Sequence, residues 1–482
     1  MQDTKPNIIF LMSDQMAQSV VLPDSQCIMP NVQELRKDGV LCTHSYSSNA
    51  VCSPARASLM TGMLPHNHGM VDVTHAVPKY RADYDSSLDT FSNVLKDSGY
   101  RNGYFGKWHV ERSHKLENFG YDEYLTERDI PPMHITAIEK TMLAGSGAGY
   151  DDKVVGGVYS EGQESSEEFF IFQKARDFID RSSKKDAPFC AFISTYAPHD
   201  PYSVPKAVYD LYEGVDISLP DNFNDMMLDK PNIYQRMRKV WESMSVGDVK
   251  KIRRYYFSYC TLVDMQIGEL VRYLKDKELY DNTLIVLISD HGDLQGAHGL
   301  FCKGVPAFEE AYKIPLIFKF PKQQYGNTVC NGYVSTCDVA PTILEIAGTI
   351  PLRNRTDGKS VVDLLSGRKS GEGTYCLAEF FGQRYAFTQR LVWKDDFKYV
   401  FNGFDWDELY DLNSDPSELV NQINNPDYQP KVRELAELMQ EIVLETEDST
   451  MNETQYYTTR LAPVGPKKGK KMSEYGVYNK PF

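Results

Sequence analysis

The segment of residues 52–62 combines residue types that suit nucleophilic chemistry. It reads Cys-Ser-Pro-Ala-Arg-Ala-Ser-Leu-Met-Thr-Gly, which predicts a helix with Ser53 as its N-cap and Pro54 in its first turn. Cys52 would then lie in the positive field of the helix N-terminus, which favours a thiolate or another anion. Most isolated cysteines are small buried hydrophobic residues, so this spacing alone leaves a structural role open.

Two acidic residues follow strongly apolar stretches that we predict to be strands. Asp14 comes directly after the predicted strand 6–13, and Asp290 comes directly after the predicted strand 283–289. Ligands of open α/β sheets bind at the carboxyl ends of the strands. The two aspartates therefore predict one shared site, with the capping of adjacent helices as the structural alternative.

Several basic residues follow other predicted strands. Lys107 and His109 are two residues apart after a strand-like stretch, so on an extended segment they would face the same way. His199 follows a further predicted strand. Such residues are normally exposed or structural, so a chemical role depends on the neighbouring motifs. His291 and His298 are seven residues apart among glycines, which excludes the helical zinc motif of metalloproteases.

Taken in order along the chain, these segments resemble the type I, formylglycine-dependent sulfatases of the alkaline-phosphatase-like superfamily. The core of the resemblance is Cys-x-Pro-x-Arg followed by Ala-Ser-Leu-x-Thr-Gly at residues 52–62, and the similarity extends from Pro6 to about Pro426. The further matching landmarks are Ser13-Asp14-Gln15, Gly106-Lys107-Trp108-His109, Ala197-Pro198-His199-Asp200, Ser289-Asp290-His291-Gly292, Glu408-Leu409-Tyr410-Asp411-Leu412 and Asp415-Pro416.

The resemblance implies that a maturation enzyme converts Cys52 to formylglycine before folding. The hydrated aldehyde offers two hydroxyls: one attacks sulfur, and the other allows sulfate to leave by carbon–oxygen cleavage. The resemblance also implies that Arg56 orients the formylglycine, that Lys107 binds sulfate oxygens, and that His109 assists proton transfer. His199 and Lys303 would hold the sulfate and protonate the leaving alcohol.

The resemblance further implies one divalent cation beside residue 52. Calcium is the expected ion, with manganese or magnesium as alternatives, because carboxylate and amide oxygens suit hard cations while imidazole favours manganese. The implied ligands are Asp14, Gln15, Cys52, Asp290 and His291.

The chain departs from the commonest family pattern at three positions. Many relatives carry an aspartate in place of Gln15 and an asparagine in place of His291, whereas the Gln and His pairing is typical of choline-sulfatase-like enzymes and phosphonate monoester hydrolases. Many relatives also have an asparagine soon after His68-Gly69, but this chain has none there. The candidates for that side of the pocket are Asp72, Thr74 and His75, and His298 resembles a loop histidine near the substrate.

These features predict hydrolysis of a sulfate ester on a carbohydrate, such as a glycan or glycosaminoglycan fragment. The alternatives are a phosphonate monoester or phosphodiester hydrolase, a choline-sulfatase-like enzyme, and a non-catalytic binding protein on the same scaffold. The Gly-Lys-Trp-His segment argues against phosphonate chemistry, because those hydrolases usually lack this lysine and histidine pair. The full set of polar residues argues against a binding protein.

The alternation of short apolar strands with helical patterns predicts the elements that position these residues. It indicates an α/β fold with a large central, mostly parallel sheet flanked by helices, and the family resemblance implies an alkaline-phosphatase-like architecture. Shorter, aromatic, alternating strands after about residue 371 predict a smaller C-terminal antiparallel sheet followed by a helix over 429–444. We therefore predict a catalytic domain at 1–365, a C-terminal subdomain at 366–455 and a tail at 456–482.

Composition narrows the partners and the compartment. The 482 residues carry a net charge of −15, which argues against nucleic acid as a partner. No apolar run is long enough to span a membrane. The N-terminus lacks a signal-peptide pattern, so we expect a cytoplasmic protein if Met1 is the native start, and a periplasmic or secreted one if a signal was removed. Nine cysteines without CxxC spacing favour reduced thiols.

Overall fold

The structure is a computed structural model of the chain, and it describes residues 5–75, 84, 85, 87–143, 153–383, 387–403, 405–452, 462 and 463. Apart from residues 462 and 463, the predicted tail 456–482 lies outside the described residues. The strands are β1 Asn7–Ser13, β2 Val40–Tyr46, β3 Arg101–Gly106, β4 Glu123–Thr126, β5 Ala137–Leu143, β6 Lys153–Tyr159, β7 Phe189–Ser194, β8 Tyr202–Pro205, β9 Thr283–Ser289, β10 Leu316–Lys319, β11 Thr328–Ser335, β12 Cys376–Phe380, β13 Gln389–Lys394, β14 Phe397–Phe401 and β15 Glu408–Asp411. The α-helices are α1 Pro30–Lys37, α2 Cys52–Thr61, α3 Pro65–His68, α4 Phe91–Asp97, α5 Glu167–Ser182, α6 Lys206–Tyr209, α7 Asn232–Arg238, α8 Val246–Asp276, α9 Glu309–Tyr312, α10 Thr336–Ile346, α11 Val362–Leu365, α12 Gln429–Glu445 and α13 Ser449–Asn452.

The largest sheet among the described residues has eight strands in the order β11-β2-β10-β9-β1-β7-β3-β4. Strand β10 pairs antiparallel with β2 and β9, and the other neighbouring pairs are parallel. The prediction of a large, mostly parallel sheet in an α/β fold is therefore confirmed.

The central strand β1 shows why the sheet forms at this place. All seven of its residues are buried, as expected for a parallel strand that has helices on both faces. Ile9 and Leu11 belong to one hydrophobic cluster, whereas Ile8 and Phe10 belong to the other cluster on the opposite face. Its neighbour β9 is buried at every position as well. These two strands anchor the residues that follow them.

The predicted C-terminal sheet is present as the antiparallel order β12-β13-β14-β15. Helix α12 packs on it through a third hydrophobic cluster that includes Leu435 and Met439. The sheet begins at Cys376, and the helix before it, α11, ends at Leu365. The predicted domain limits at 365 and 455 stay a prediction.

A third sheet, in the order β5-β6-β8, was not expected from the sequence. Strand β5 is largely exposed, with Ile138 and Met142 facing solvent, so it has neither the continuous apolar run nor the clean alternation that predict a strand. Gly156 and Gly157 also weaken the pattern of β6.

Two further observations concern the whole of the described chain. None of its helices combines the length and the apolar character needed to cross a membrane. All nine cysteines are present as free thiols, and eight of them are buried.

Candidate active site

Residues from three separate parts of the chain converge at the carboxyl ends of β1 and β9. The register pairs Ser13 with Ser289, so the residues that follow them, Asp14 and Asp290, emerge side by side. A ligand atom from each of Asp14, Cys52, Asp290 and His291 lies within 4.8 Å of every other one in the group. All four residues are buried. The two aspartates therefore lie at one shared place at the strand ends, as predicted.

Cys52 is the first residue of α2, a helix in which every residue is buried. The predicted cap is wrong: the N-cap is Val51, and the Ser53 hydroxyl accepts a hydrogen bond from the backbone N–H of Thr74 at 3.1 Å. The helix begins two residues earlier than predicted, at Cys52, and the serine hydroxyl makes a tertiary contact in place of a cap. Gly62 ends the helix in a left-handed conformation with φ of 70°, which glycine adopts without strain.

The Cys52 sulfur lies among charged groups. It is 3.1 Å from His291 Nε2, 3.6 Å from Asp14 Oδ1 and 3.8 Å from Lys107 Nζ. Burial alone would raise the pKa of the Cys52 thiol, but Lys107, Lys303 and His291 outweigh burial and hold it well below its ordinary value. Residue 52 therefore stands where negative charge is stabilised.

Arg56, one helical turn after Cys52, holds the two strand-end aspartates. Its guanidinium donates to Asp14 Oδ2 at 2.9 Å and to Asp290 Oδ2 at 2.7 Å. It also donates to the Lys107 carbonyl at 2.8 Å and to Ser194 Oγ at 2.9 Å. This planar fork ties the ends of several strands together, so Arg56 orients the site and compensates its negative charge.

Lys107 and His109 both reach Cys52. The sequence analysis assumed an extended segment here, but the chain does not stay extended at His109. His109 has φ of 49°, a left-handed conformation that turns the chain after β3. The Lys107 ammonium contacts Asp14 Oδ2. Burial lowers the pKa of His109, and a hydrogen bond to Cys52 offsets this only in part. His109 is therefore held towards its neutral form, which can accept a proton.

His199 and Lys303 line the opposite side of Asp14. His199 Nε2 is 4.0 Å from Asp14 Oδ1, and its Nδ1 lies 2.5 Å from the backbone carbonyl oxygen of Asp200. Lys303 Nζ is 3.9 Å from Asp14 Oδ1 and donates to Gln15 Oε1 at 2.6 Å. The residues predicted to be catalytic or metal-binding are thus brought into one group.

Two acidic residues of this group were missed by the sequence analysis. Asp200 and Asp293 each lie within 3.2 Å of the Gln15 side-chain nitrogen. Both stand inside or next to motifs that the sequence analysis used, directly after His199 and two residues after His291. Their position in those motifs was the available signal, but it does not show which side chain they contact.

The three candidates for the pocket side after Gly69 have different surroundings. Asp72 is fully buried and accepts from the backbone N–H of Val73 at 2.7 Å. Thr74 is also buried. His75 is exposed, and its ring stacks on His109 with 5.5 Å between the centroids. His75 is therefore the candidate that stands beside the site and is open to a ligand.

His298, which resembles a loop histidine near the substrate, has polar and aromatic neighbours in the structure. It is fully buried, with its ring nitrogens 2.7 Å from Asp225 Oδ2 and 2.9 Å from Asn222 Nδ2. Its ring stacks on Phe308. These contacts make His298 part of a buried polar cluster with Asn222 and Asp225, and its place near the substrate stays a prediction.

The donor set fits a divalent cation. Asp14, Asp290 and the Gln15 carboxamide supply hard oxygen atoms, and His291 supplies one nitrogen. Gln15 has φ of 71°, and its backbone N–H donates to Asp290 Oδ1 at 3.1 Å. Burial and the neighbouring Asp14 raise the pKa of Asp290, so a cation placed here would stabilise the ionised carboxylate.

Comparison with known proteins places this site in a family. The family model "Sulfatase" matches residues 6–349, and the model "N-sulphoglucosamine sulphohydrolase, C-terminal" matches residues 296–445. The chain is 30% identical to a choline-sulfatase of Rhizobium meliloti (88% of this chain, 83% of the relative) and 25% identical to an N-acetylglucosamine-6-O-sulfatase of Bacteroides thetaiotaomicron (94% and 89%). The crystal structure of a phosphonate monoester hydrolase of Agrobacterium radiobacter superposes with a TM-score of 0.73 at 22% identity, over 92% of this chain and 96% of that one. The chain belongs to the sulfatase family and is a sulfuric ester hydrolase.

Proposed function

We propose that this enzyme hydrolyses a sulfate ester on a carbohydrate, with residue 52 as formylglycine and a divalent cation, calcium being the expected ion. The observation that carries the proposal is the grouping of Lys107, His109, His199 and Lys303 around Cys52 and Asp14. Two ammonium groups and two imidazoles suit a sulfate monoester, which is an anion whose alcohol leaving group needs a proton.

The proposal requires two groups that the unmodified chain does not supply, a cation and the formylglycine at position 52. Asp14, Gln15, Asp290 and His291 would hold the cation, which polarises a sulfate oxygen and makes the nucleophile more acidic when it is bound. The hydrated formylglycine at position 52 supplies the attacking hydroxyl. Formylglycine and a metal are general features of the sulfatase family.

The remaining residues bind, orient and move protons. Lys107 contacts Asp14 Oδ2, and Lys303 lies beside Asp14 Oδ1. The two ammonium groups therefore neutralise the sulfate from two sides. Arg56 uses four of its five N–H donors in hydrogen bonds within the site, so we assign it to keeping the aspartates in place. His109, held towards its neutral form, accepts a proton from residue 52.

His199 is the residue that we assign to protonation of the leaving alcohol. Its Nδ1 is close to the Asp200 carbonyl, an acceptor that fixes a proton on Nδ1. This directs Nε2 towards the centre, where a protonated ring can donate to the departing oxygen. The side chain is 26% exposed, so the leaving group lies on the solvent side, where a saccharide has room.

Two candidate substrate classes have support from particular relatives. The similarity to an N-acetylglucosamine-6-O-sulfatase favours a sulfated sugar. The similarity to a choline-sulfatase, together with the Gln15 and His291 pairing, supports a smaller ester or a phosphorus ester as the second candidate.

An activity panel tests the proposal directly. The enzyme would be produced with a formylglycine-generating enzyme, checked at residue 52 by peptide mass spectrometry, and assayed with sulfated mono- and disaccharides, choline sulfate, an aryl sulfate and an aryl phosphonate monoester. Cys52→Ala, made in the same way, is the matched control. We expect the highest kcat/KM for a sulfated saccharide. Higher values for choline sulfate or for the phosphonate monoester would contradict the carbohydrate proposal, and full activity with unmodified Cys52 would contradict the formylglycine mechanism.

A further inference from the structure

The Gln15 carboxamide is held by hydrogen bonds on both of its ends. Its nitrogen donates to Asp293 Oδ2 at 2.5 Å and to Asp200 Oδ1 at 3.2 Å. Its oxygen accepts from Lys303 Nζ at 2.6 Å. The two ends of an amide are nearly the same in shape, so its orientation is decided by the donors and acceptors around it. Here both acidic neighbours are on the nitrogen side.

Asp293 is the more completely enclosed of these two carboxylates. It is fully buried, and its Oδ2 also accepts from the Tyr202 hydroxyl at 2.6 Å. Its other oxygen, Oδ1, accepts from the backbone N–H of Gln295 at 2.8 Å. Donors therefore face both oxygens of Asp293, and this arrangement requires a group that accepts on both sides.

We infer that Asp293 is a positioning residue for the metal site. It holds the nitrogen of Gln15 away from the centre and thereby presents Gln15 Oε1 to the cation and to Lys303. This inference rests on the proposed metal-dependent function, and it assigns a role to a residue that does not itself touch the cation or the substrate.

The same contact explains why a neutral amide stands at position 15. A carboxylate at this position would lie against the Asp293 carboxylate at hydrogen-bond distance, with Asp200 nearby, and like charges at that distance repel strongly. Asp293 thus makes glutamine the compatible ligand, because the amide can donate to an acid on one side and offer an oxygen on the other.

An asparagine at position 293 cannot replace the aspartate. If its oxygen faces Gln15 and Tyr202, its NH₂ group faces the N–H of Gln295, and two donors oppose each other. If its NH₂ group faces Gln15, the carboxamide of Gln15 is driven to reverse and to present nitrogen towards the cation. Either outcome weakens the cation site.

The test is a double-mutant cycle with cation binding as the readout. Ca²⁺ and Mn²⁺ would be titrated by calorimetry into the full-length wild type, Asp293→Asn, Gln15→Glu and the combination of both. We expect Asp293→Asn to weaken binding by about 10- to 100-fold, the usual effect of removing a partner of a metal ligand. Gln15→Glu should also weaken binding, although it adds a negative charge to the site. The combination should bind at least about 10-fold more tightly than Asp293→Asn alone, because the introduced glutamate can accept from the introduced asparagine.

Asp264→Asn is the matched control. Asp264 is another buried carboxylate that accepts hydrogen bonds, in this case from Asn31 and Val32, and it has no contact with Gln15. We expect this variant to lose stability and to keep the wild-type cation affinity.

The outcomes separate this inference from the proposed function. If the wild type binds neither cation, both are overturned. If the wild type binds and Asp293→Asn binds equally well, or if the effects of the two substitutions simply add, the positioning role is overturned and the proposed function stands. Should Asp293→Asn fail to fold, Gln15→Glu alone decides: tighter binding than wild type contradicts the inference, and weaker binding supports it.

Discussion

Replacing His199 by alanine is the change that most directly probes how the leaving group departs. His199 Nε2 faces the centre, 4.0 Å from Asp14 Oδ1, whereas its Nδ1 is occupied by the Asp200 carbonyl. General acids contribute about 10²- to 10⁴-fold to rate. Lys303 lies on the same side of Asp14 and remains as a second donor in the variant. We therefore expect a loss near the lower end, about 10²-fold in kcat/KM on a sugar sulfate, which corresponds to about 2.7 kcal/mol.

An aryl sulfate should respond much less, because a phenolate leaves without needing a proton. The assay compares kcat/KM for a sugar sulfate, an aryl sulfate and an aryl phosphonate monoester, in wild type and His199→Ala. We expect less than about a 10-fold loss on the aryl sulfate, so that the ratio of the two sulfates changes by about 10-fold or more. His44→Ala serves as a control, because His44 contacts Asn331 on the edge strand β11 and Asp396 in the turn between β13 and β14 and should leave every ratio unchanged.

The result that would refute this reasoning is an equal loss on both sulfates. It would mean that His199 binds the sulfate or supports the loop and does not protonate the leaving oxygen. A wild-type preference for the phosphonate monoester would overturn the proposed sulfate-ester substrate itself.

Four further changes test other parts of the site and of the fold. Asp290→Asn removes a charged ligand and a partner of Arg56, so both bound metal, measured by elemental analysis, and kcat should fall; unchanged metal content would contradict the ligand assignment. Lys107→Met should lower kcat/KM for sulfate esters by about 10²-fold, measured with the same panel, and a loss below threefold would exclude Lys107 from sulfate binding. Cys52→Ser should be inactive or trapped as a sulfate ester, visible by intact-protein mass spectrometry, whereas Cys52→Ala should show neither turnover nor a sulfated adduct. Burial alone would lower the pKa of His66, but Glu379, with one oxygen 2.6 Å from Nδ1, raises it to about 9. Because this folded pKa lies above the unfolded value, the pair stabilises the protein fully below about pH 6.5. The protein should then lose about 3 kcal/mol of stability as the pH rises through 9. Urea unfolding at pH 6 and pH 9.5 should show this loss in wild type and a much smaller one in His66→Asn.

The positions of the polar site residues along the main sheet can be predicted from the amino-acid sequence. Continuous apolar runs such as β1 and β9 can be buried only as strands covered on both faces, and parallel strands bring their carboxyl ends to one edge. Asp14 and Asp290 follow from that rule without any coordinate. Cys52, Arg56, Lys107, His109, His199 and Lys303 were assigned through a motif resemblance, and the fold gathers them around the same two aspartates.

The hydrogen-bond partners of these residues, in contrast, depend on the tertiary fold. Asp293 contacts Gln15, and Ser53 contacts Thr74. Both partners are distant in the sequence, and local sequence patterns do not predict such contacts. His298 shows the same limit, because its burial among Asn222, Asp225 and Phe308 comes from packing between distant segments. The exposed strand β5 was missed for a related reason: its pairing with β6 is satisfied by backbone hydrogen bonds, and these do not depend on the side chain, except that proline has no N–H to donate. Hydrophobic periodicity predicts which face of a helix or strand is buried. The hydrogen-bond partners of a side chain are set only when distant segments pack together in the folded protein.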